Sequence, residues 1–315
     1  MQPRNKKVQG FLMVLTSSTL WGISGTVAQY LFHQKGFAPG WLVMIRLTLS
    51  GFALLLFSYI RGDKKNVWAI WYHRKDRRQL LILGILGMLG VQYTYFAAIE
   101  AGNAATATLL QYLGPVFITI YLALRLWRIP RLGELAAVGL ALTGTFLLVS
   151  DGTFSNLSIS GWAVFWGLTS AVALAFYTLY PIKLLQTWSS AIVVGWAMII
   201  GGIGICFIYP PWNTQGQEWS FPVFLFVSII VIFGTLVPFY LYLDSLRYIS
   251  PTETSILASA EPLSATVIAI LWLKIPFGFS EVLGGFLILL TVVLLSLQKE
   301  ATAKEKGLST REAKG

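Results

Sequence analysis

Residues that usually carry chemistry are scarce in this 315-residue chain, which has one cysteine, two histidines and 13 acidic residues. The lone Cys206 lies inside an apolar run, so it provides neither a disulfide framework nor a metal site. His33 and His73 fall in predicted loops without a partner at metal-ligand spacing, and no metal or cofactor is expected. Three catalytic signatures are missing: G-x-x-x-x-G-K-S/T, H-E-x-x-H and G-x-S-x-G. Without the first there is no nucleotide-driven pump of the usual kind, and the chain reads as a non-enzyme. Charge is thin as well, at 11% of residues against 56% hydrophobic, with a mean hydropathy of +0.70. A soluble chain of this size needs more polar residues to cover its surface.

What fills the sequence instead is apolar runs. A membrane span needs about 20 mainly apolar residues. That length predicts helices near 9–32, 40–60, 80–100, 104–125, 132–150, 160–180, 188–209, 220–243, 251–273 and 279–298. Breaker residues separate them: Lys35-Gly36, Pro39-Gly40, Gly102-Asn103, Ile129-Pro130, Asp151-Gly152, Pro210-Pro211 and Ser250-Pro251. The first run follows Arg4, Lys6 and Lys7 as in a signal peptide, but Val8 to Phe32 is too long for that and has no A-x-A site. It is read as a retained helix.

The second five runs repeat the first five. Tyr95, Pro115, Arg128-Ile129-Pro130 and Glu134 recur as Tyr242, Pro262, Lys274-Ile275-Pro276 and Glu281, 146 to 147 residues later. Five spans are an odd number, so two such halves enter the bilayer from opposite sides. The expected fold is an all-α integral membrane protein of ten transmembrane helices, arranged as two inverted five-helix repeats. Residues 1–152 and 153–298 form the repeats, and 299–315 a charged, disordered cytoplasmic tail. Inverted repeats of this kind build many secondary transporters.

The net charge of +10 follows the same plan. With the N-terminus in the cytoplasm, twenty of the 23 cations lie on that side, Lys35 and Lys274 lie outside, and Arg46 lies within a span. That asymmetry places both termini in the cytoplasm. It also accounts for the basic residues without nucleic acid. The candidate partners are a small-molecule substrate, the lipid bilayer and a second copy of the chain (a homodimer). The longest loop, Arg61 to Gln79, mixes cations with Trp68, Trp71 and Tyr72. It reads as a topology anchor resting at the interface or as a lipid-headgroup segment.

Charges inside a span are costly and mark function. Glu261 lies ten residues into the ninth span, about 15 Å deep at 1.5 Å per residue. Pro262 follows and frees a backbone carbonyl one turn earlier. A carboxylate beside opened backbone near the midplane is the form of a substrate or coupling-ion site; the structural alternative is a protonated Glu that joins helices. The counterpart in the first half is Gly114-Pro115, without an acid. Gln111, Gln92 and Tyr95 are further candidate contacts, or interhelical hydrogen bonds. Arg46 pairs with a carboxylate or snorkels to the headgroups. Trp21 and Tyr112 are candidate cavity-lining aromatics, while Glu100, Asp244 and Glu253 sit near helix ends.

The pattern resembles the ten-helix EamA-type members of the drug/metabolite transporter superfamily. The likeness covers nearly the whole chain. It rests on Leu20-Trp21-Gly22, Arg46, Ala104 with Leu110 and Gly114-Pro115-Val116-Phe117, and Gly139 with Gly144. In the second half it rests on Pro251, Ser255, Ala260-Glu261-Pro262-Leu263 and Gly284-Gly285. The resemblance implies a multi-pass carrier of the inner or plasma membrane that exports amino acids or other small metabolites, and alternating access is the expected mechanism. Many members carry a Glu at the ends of the fourth and ninth helices, where this chain has Arg128 and Lys274. Two other classes remain open from sequence: an integral membrane enzyme acting on lipids or isoprenoids, and a non-transporting scaffold.

Overall fold

The apolar runs become helices in a computed structural model that describes residues 4–125, 127, 132–150, 159–245, 248–249, 254 and 257–312. The first half holds α1 (Arg4–Lys35), α2 (Pro39–Ser58), two short helices α3 (Lys64–Tyr72) and α4 (Arg74–Ile82), α5 (Gly90–Ala101), α6 (Ala104–Gln111), α7 (Gly114–Arg125) and α8 (Leu132–Ser150). The second holds α9 (Gly161–Leu179), α10 (Ile182–Thr187), α11 (Ser190–Cys206), α12 (Phe221–Val231), α13 (Val237–Ser245), α14 (Ala260–Leu273) and α15 (Phe279–Glu312). Among the described residues there is no strand. Six helical stretches among the described residues are long and apolar enough to cross a membrane, and four shorter apolar helices among them stand at Leu135–Leu148, Ser190–Cys206, Ala260–Leu273 and Phe279–Leu295.

Local chemistry explains the boundaries. Pro39 opens α2, where a missing N–H costs nothing. The Asn103 side chain accepts from Thr106 N and starts α6, and Ser220 does the same for α12 through Val223 N. Gly36 turns the chain with φ of 65°, against the Gly216 carbonyl. The expected turns at Ile129-Pro130, Asp151-Gly152 and Ser250-Pro251 lie outside the described residues, as do Arg128, Glu253 and Ser255. The segment expected to be a disordered tail is drawn as helix, since α15 continues to Glu312. Its Ala, Lys and Glu residues are strong helix formers, a preference that outweighs its lack of apolar residues.

Glycines set the packing of the helices. A methyl at Gly51 of α2 would lie 2.8 Å from the Gly195 carbonyl oxygen of α11, and Gly202 meets Thr48. The lower number on one helix pairs with the higher on the other, so α2 and α11 run antiparallel. Gly144 lies against the Gly284 carbonyl, and Thr291 Oγ1 donates to Ala137 O at 3.3 Å, which makes α8 and α15 antiparallel too. By contrast, Gly22 meets Glu261 and Thr26 meets Ala265, so α1 and α14 are parallel. In the same way Leu110 meets Gly167 and Gln111 meets Ser170, so α6 and α9 are parallel.

These pairings map onto one another when the halves are exchanged. The α1·α14 pair becomes α9·α7, and α1 against α13 becomes α9 against α5. Local irregularities also recur. One wide, π-helical turn, Tyr59–Asp63, follows α2, and two others stand at matching places in the halves: Leu83–Leu89, before α5, and Ile232–Leu236, before α13. The fourth run is broken at Tyr112-Leu113, and the ninth has its matching break at Ser259.

Candidate functional site

The break at Ser259 positions the acid. Because α14 restarts at Ala260, Pro262 falls in its first turn, where proline is tolerated. The kink expected at Pro262 therefore takes the form of an interrupted helix. Pro262 has no N–H for the carbonyl four residues back, which is Ala258 O. That carbonyl is met from the other half: Tyr112 OH donates to it at 2.6 Å. The same hydroxyl lies 3.3 Å from Glu261 Oε2. A phenol has one hydrogen, and the shorter bond holds it. The Glu261 carboxylate is half-buried and keeps acceptor capacity for a ligand.

Tyr112 sits in the matching break of the first half, between α6 and α7. The residues flanking Pro115 and Pro262 thus meet through one side chain. Tyr112→Phe leaves the Ala258 carbonyl unpaired, a cost of about 1–3 kcal/mol. The expected result is a lower unfolding temperature in detergent, with Tyr121→Phe, whose ring is exposed, as control.

Other elements complete the surround. Trp21 of α1 stands with ring centroids 5.2 Å from Phe239 and 5.4 Å from Tyr242 of α13. Tyr95 of α5 shares a 2.8 Å hydrogen bond with Thr108 of α6, and Gly25 of α1 gives its hydroxyl room. Tyr95, Tyr112 and Tyr242 all interact electrostatically with Glu261, and Tyr177 of α9 does so with Tyr242. Tyr112 thus lies within direct reach of the acid, with Tyr95 and Tyr242 in the same interior.

Arg46 is 4% exposed and turned inward, not toward headgroups. Its Nε donates to Thr235 Oγ1 at 3.0 Å, Nη2 to Gly234 O at 3.3 Å, and the guanidinium stands 4.6 Å from the Phe96 ring centroid. Its charge and that of Glu261 act on one another across the interior. Gln111 is turned to α9, where Nε2 donates to Ser170 Oγ at 2.6 Å. Gln92 is buried one turn before Tyr95. Pro115 lies in the first turn of α7. Tyr242 and Tyr177 were not singled out as site residues from sequence; Tyr242 could have been, as the repeat counterpart of Tyr95. Among the described residues no group of three or more His, Cys, Asp or Glu can hold a metal.

Six helical stretches among the described residues that are long and apolar enough to cross a membrane mark a multi-pass membrane protein. The particular family follows from sequence comparison: a profile of the EamA-like transporter family matches residues 8–150 and 161–297, and the chain belongs to that family. An inner membrane transporter of Salmonella typhimurium, YicL, described as uncharacterized, is 41% identical over 296 residues, covering 94% of this chain and 98% of that one. The threonine/homoserine exporter RhtA of Escherichia coli is 24% identical over 304 residues, covering 93% of each. One solved crystal structure matches with a TM-score of 0.62 at 17% identity, covering 96% of this chain and 99% of that one, which shows a shared fold.

Proposed function

We propose that this protein is a secondary transporter that moves a small polar, amino-acid-like metabolite outward across the inner membrane by alternating access. Ten spans in two inverted five-helix repeats, with both termini cytoplasmic, are the architecture of the proposal. Two family matches of similar length support it. So do the exchangeable helix pairings and the one-sided distribution of cations. The inner-membrane location rests on the description of YicL, and the substrate class on that of RhtA.

The observation that carries the reading is Glu261 itself. A half-buried carboxylate at an interrupted helix, within reach of the Tyr112 phenol of the other half, is a place for an ammonium group or a coupling proton. Arg46 supplies an opposite charge within the same interior, which suits a solute bearing both an amine and a carboxylate. Trp21, Tyr95, Tyr112 and Tyr242 line the path between them, with Gln92 and Gln111 as neighbouring amides. The experiment is efflux from proteoliposomes loaded with amino acids, comparing the wild-type protein with Glu261→Gln. Flux that depends on Glu261 supports the proposal; flux identical in both at every pH sinks the role of the acid.

Arg46→Gln tests the second charge. It leaves Glu261 without its counter-charge and the Gly234 carbonyl without its donor. Transport should fall about tenfold or more, as when a charged hydrogen bond worth about 1.5–3 kcal/mol is lost, with Arg46→Lys intermediate. Initial rates over a substrate series check this.

A further inference from the structure

The two wide turns occupy the same place in each half, ending at Leu89 and Leu236, but they are built differently. The first is Leu-Gly-Ile-Leu-Gly-Met-Leu and packs Gly84 against Ile200 and Ala197 of α11. The second is held by side-chain hydrogen bonds. Opening a helix from four-residue to five-residue spacing weakens the alignment of its carbonyls. Here three carbonyls in and just before the turn have side-chain donors. Thr235 Oγ1 donates to Ile230 O at 3.1 Å, Ser50 Oγ of α2 to Val231 O at 3.1 Å, and Arg46 Nη2 of α2 to Gly234 O at 3.3 Å. Arg46 Nε also donates to Thr235 Oγ1 at 3.0 Å, closing the set. On the opposite side Ser24 of α1 presses on Gly234.

This turn leads directly into α13, whose Phe239 and Tyr242 pack on Trp21 beside Glu261. We infer that the Ile232–Leu236 turn is a hinge clamped by α2, and that Ser50 and Thr235 are positioning residues for transport. They act through α13, by holding its aromatic face against the Glu261 pocket. The counterpart turn at Leu83–Leu89 is held by packing of Gly84 on α11 instead of by side-chain hydrogen bonds, so the two halves secure their turns differently. The inference rests on the transport reading, and it adds a mechanical role for two hydroxyls that touch no solute.

Amide hydrogen exchange and transport kinetics on the full chain in nanodiscs and proteoliposomes test it. Thr235→Val and Ser50→Ala should each speed exchange of the amides at 231–237 about fivefold, the effect of one net hydrogen bond of about 1 kcal/mol. Both should lower kcat about fivefold and leave KM unchanged. Thr235→Ser should restore both values. Thr145→Val, which removes a hydroxyl bond to Ala141 O in an ordinary turn of α8, should change neither. Unchanged exchange at 231–237, a rise spread over all helices alike, or a shift in KM with kcat intact would overturn the inference. If the wild-type protein carries no flux of any solute, the transport reading has failed, and the exchange measurement alone decides whether the clamp exists.

Discussion

Glu261→Gln should lower kcat/KM for transport by about 10–100-fold while the protein stays folded. The magnitude follows from the charge: a hydrogen bond to an ionised group contributes about 1.5–3 kcal/mol, against about 1 kcal/mol for a neutral one. Glutamine keeps the volume, and its amide N–H can donate to the Tyr112 hydroxyl oxygen, which lies 3.3 Å from the acid and whose own hydrogen goes to Ala258 O. The unfolding temperature should therefore change little, because no partner is left unsatisfied. Any pH dependence that the carboxylate imparts should vanish in the variant. Initial rates across a pH series, beside thermal unfolding of the same preparations, check both halves of the expectation. A variant that unfolds yet retains wild-type kcat/KM when assayed cold would contradict it.

The second large effect belongs to a glycine. Gly22 lets the backbone of α1 touch that of α14 at the acid: a methyl there would lie 2.6 Å from Glu261 O and 2.8 Å from Ala265 N, and would collide with Ser264. Two of those atoms are backbone, which cannot swing aside. Gly22→Ala forces the two helices apart and should cost about 1–3 kcal/mol, the usual range for overpacking. It would also pull Thr26 Oγ1 away from Ala265 O, leaving only its bond to Gly22 O within α1. Transport should drop at least tenfold, since a small displacement at a binding site is enough to misplace a contact. Gly139→Ala is the matched control, because nothing lies within 4 Å of a methyl at that position. Its unfolding temperature should hold or rise, as alanine favours helix over glycine.

Much of the architecture was legible in the sequence because the membrane constrains length and polarity together. The runs near 9–32, 104–125 and 220–243 reappear as helical stretches with boundaries moved by a few residues, at Gly102-Asn103 for a capping Asn and at Ser220 for a capping Ser. Pro262 announced a freed carbonyl, and that carbonyl exists as Ala258 O. What filled it was not legible, because Tyr112 is distant in sequence and only packing brings it there. Arg46 shows the same limit. Its cost in the bilayer could be read from composition, but the direction of its side chain depends on Thr235 and Gly234. The wide turns were invisible too, since no residue type demands them. Gln111 read from sequence as a substrate contact or an interhelical hydrogen bond, and only the fold shows that its amide reaches Ser170 of α9.

The central claim is that a small polar solute crosses the membrane through the space between the two broken helices. The most direct measurement loads proteoliposomes containing the purified protein with the twenty amino acids and follows efflux by mass spectrometry. Protein-free liposomes and Glu261→Gln proteoliposomes run in parallel. The account predicts that one amino acid or a few leave faster than from protein-free liposomes, and that this excess is lost in the variant. Efflux indistinguishable from the protein-free control for every solute, or equal in wild type and variant, would contradict it.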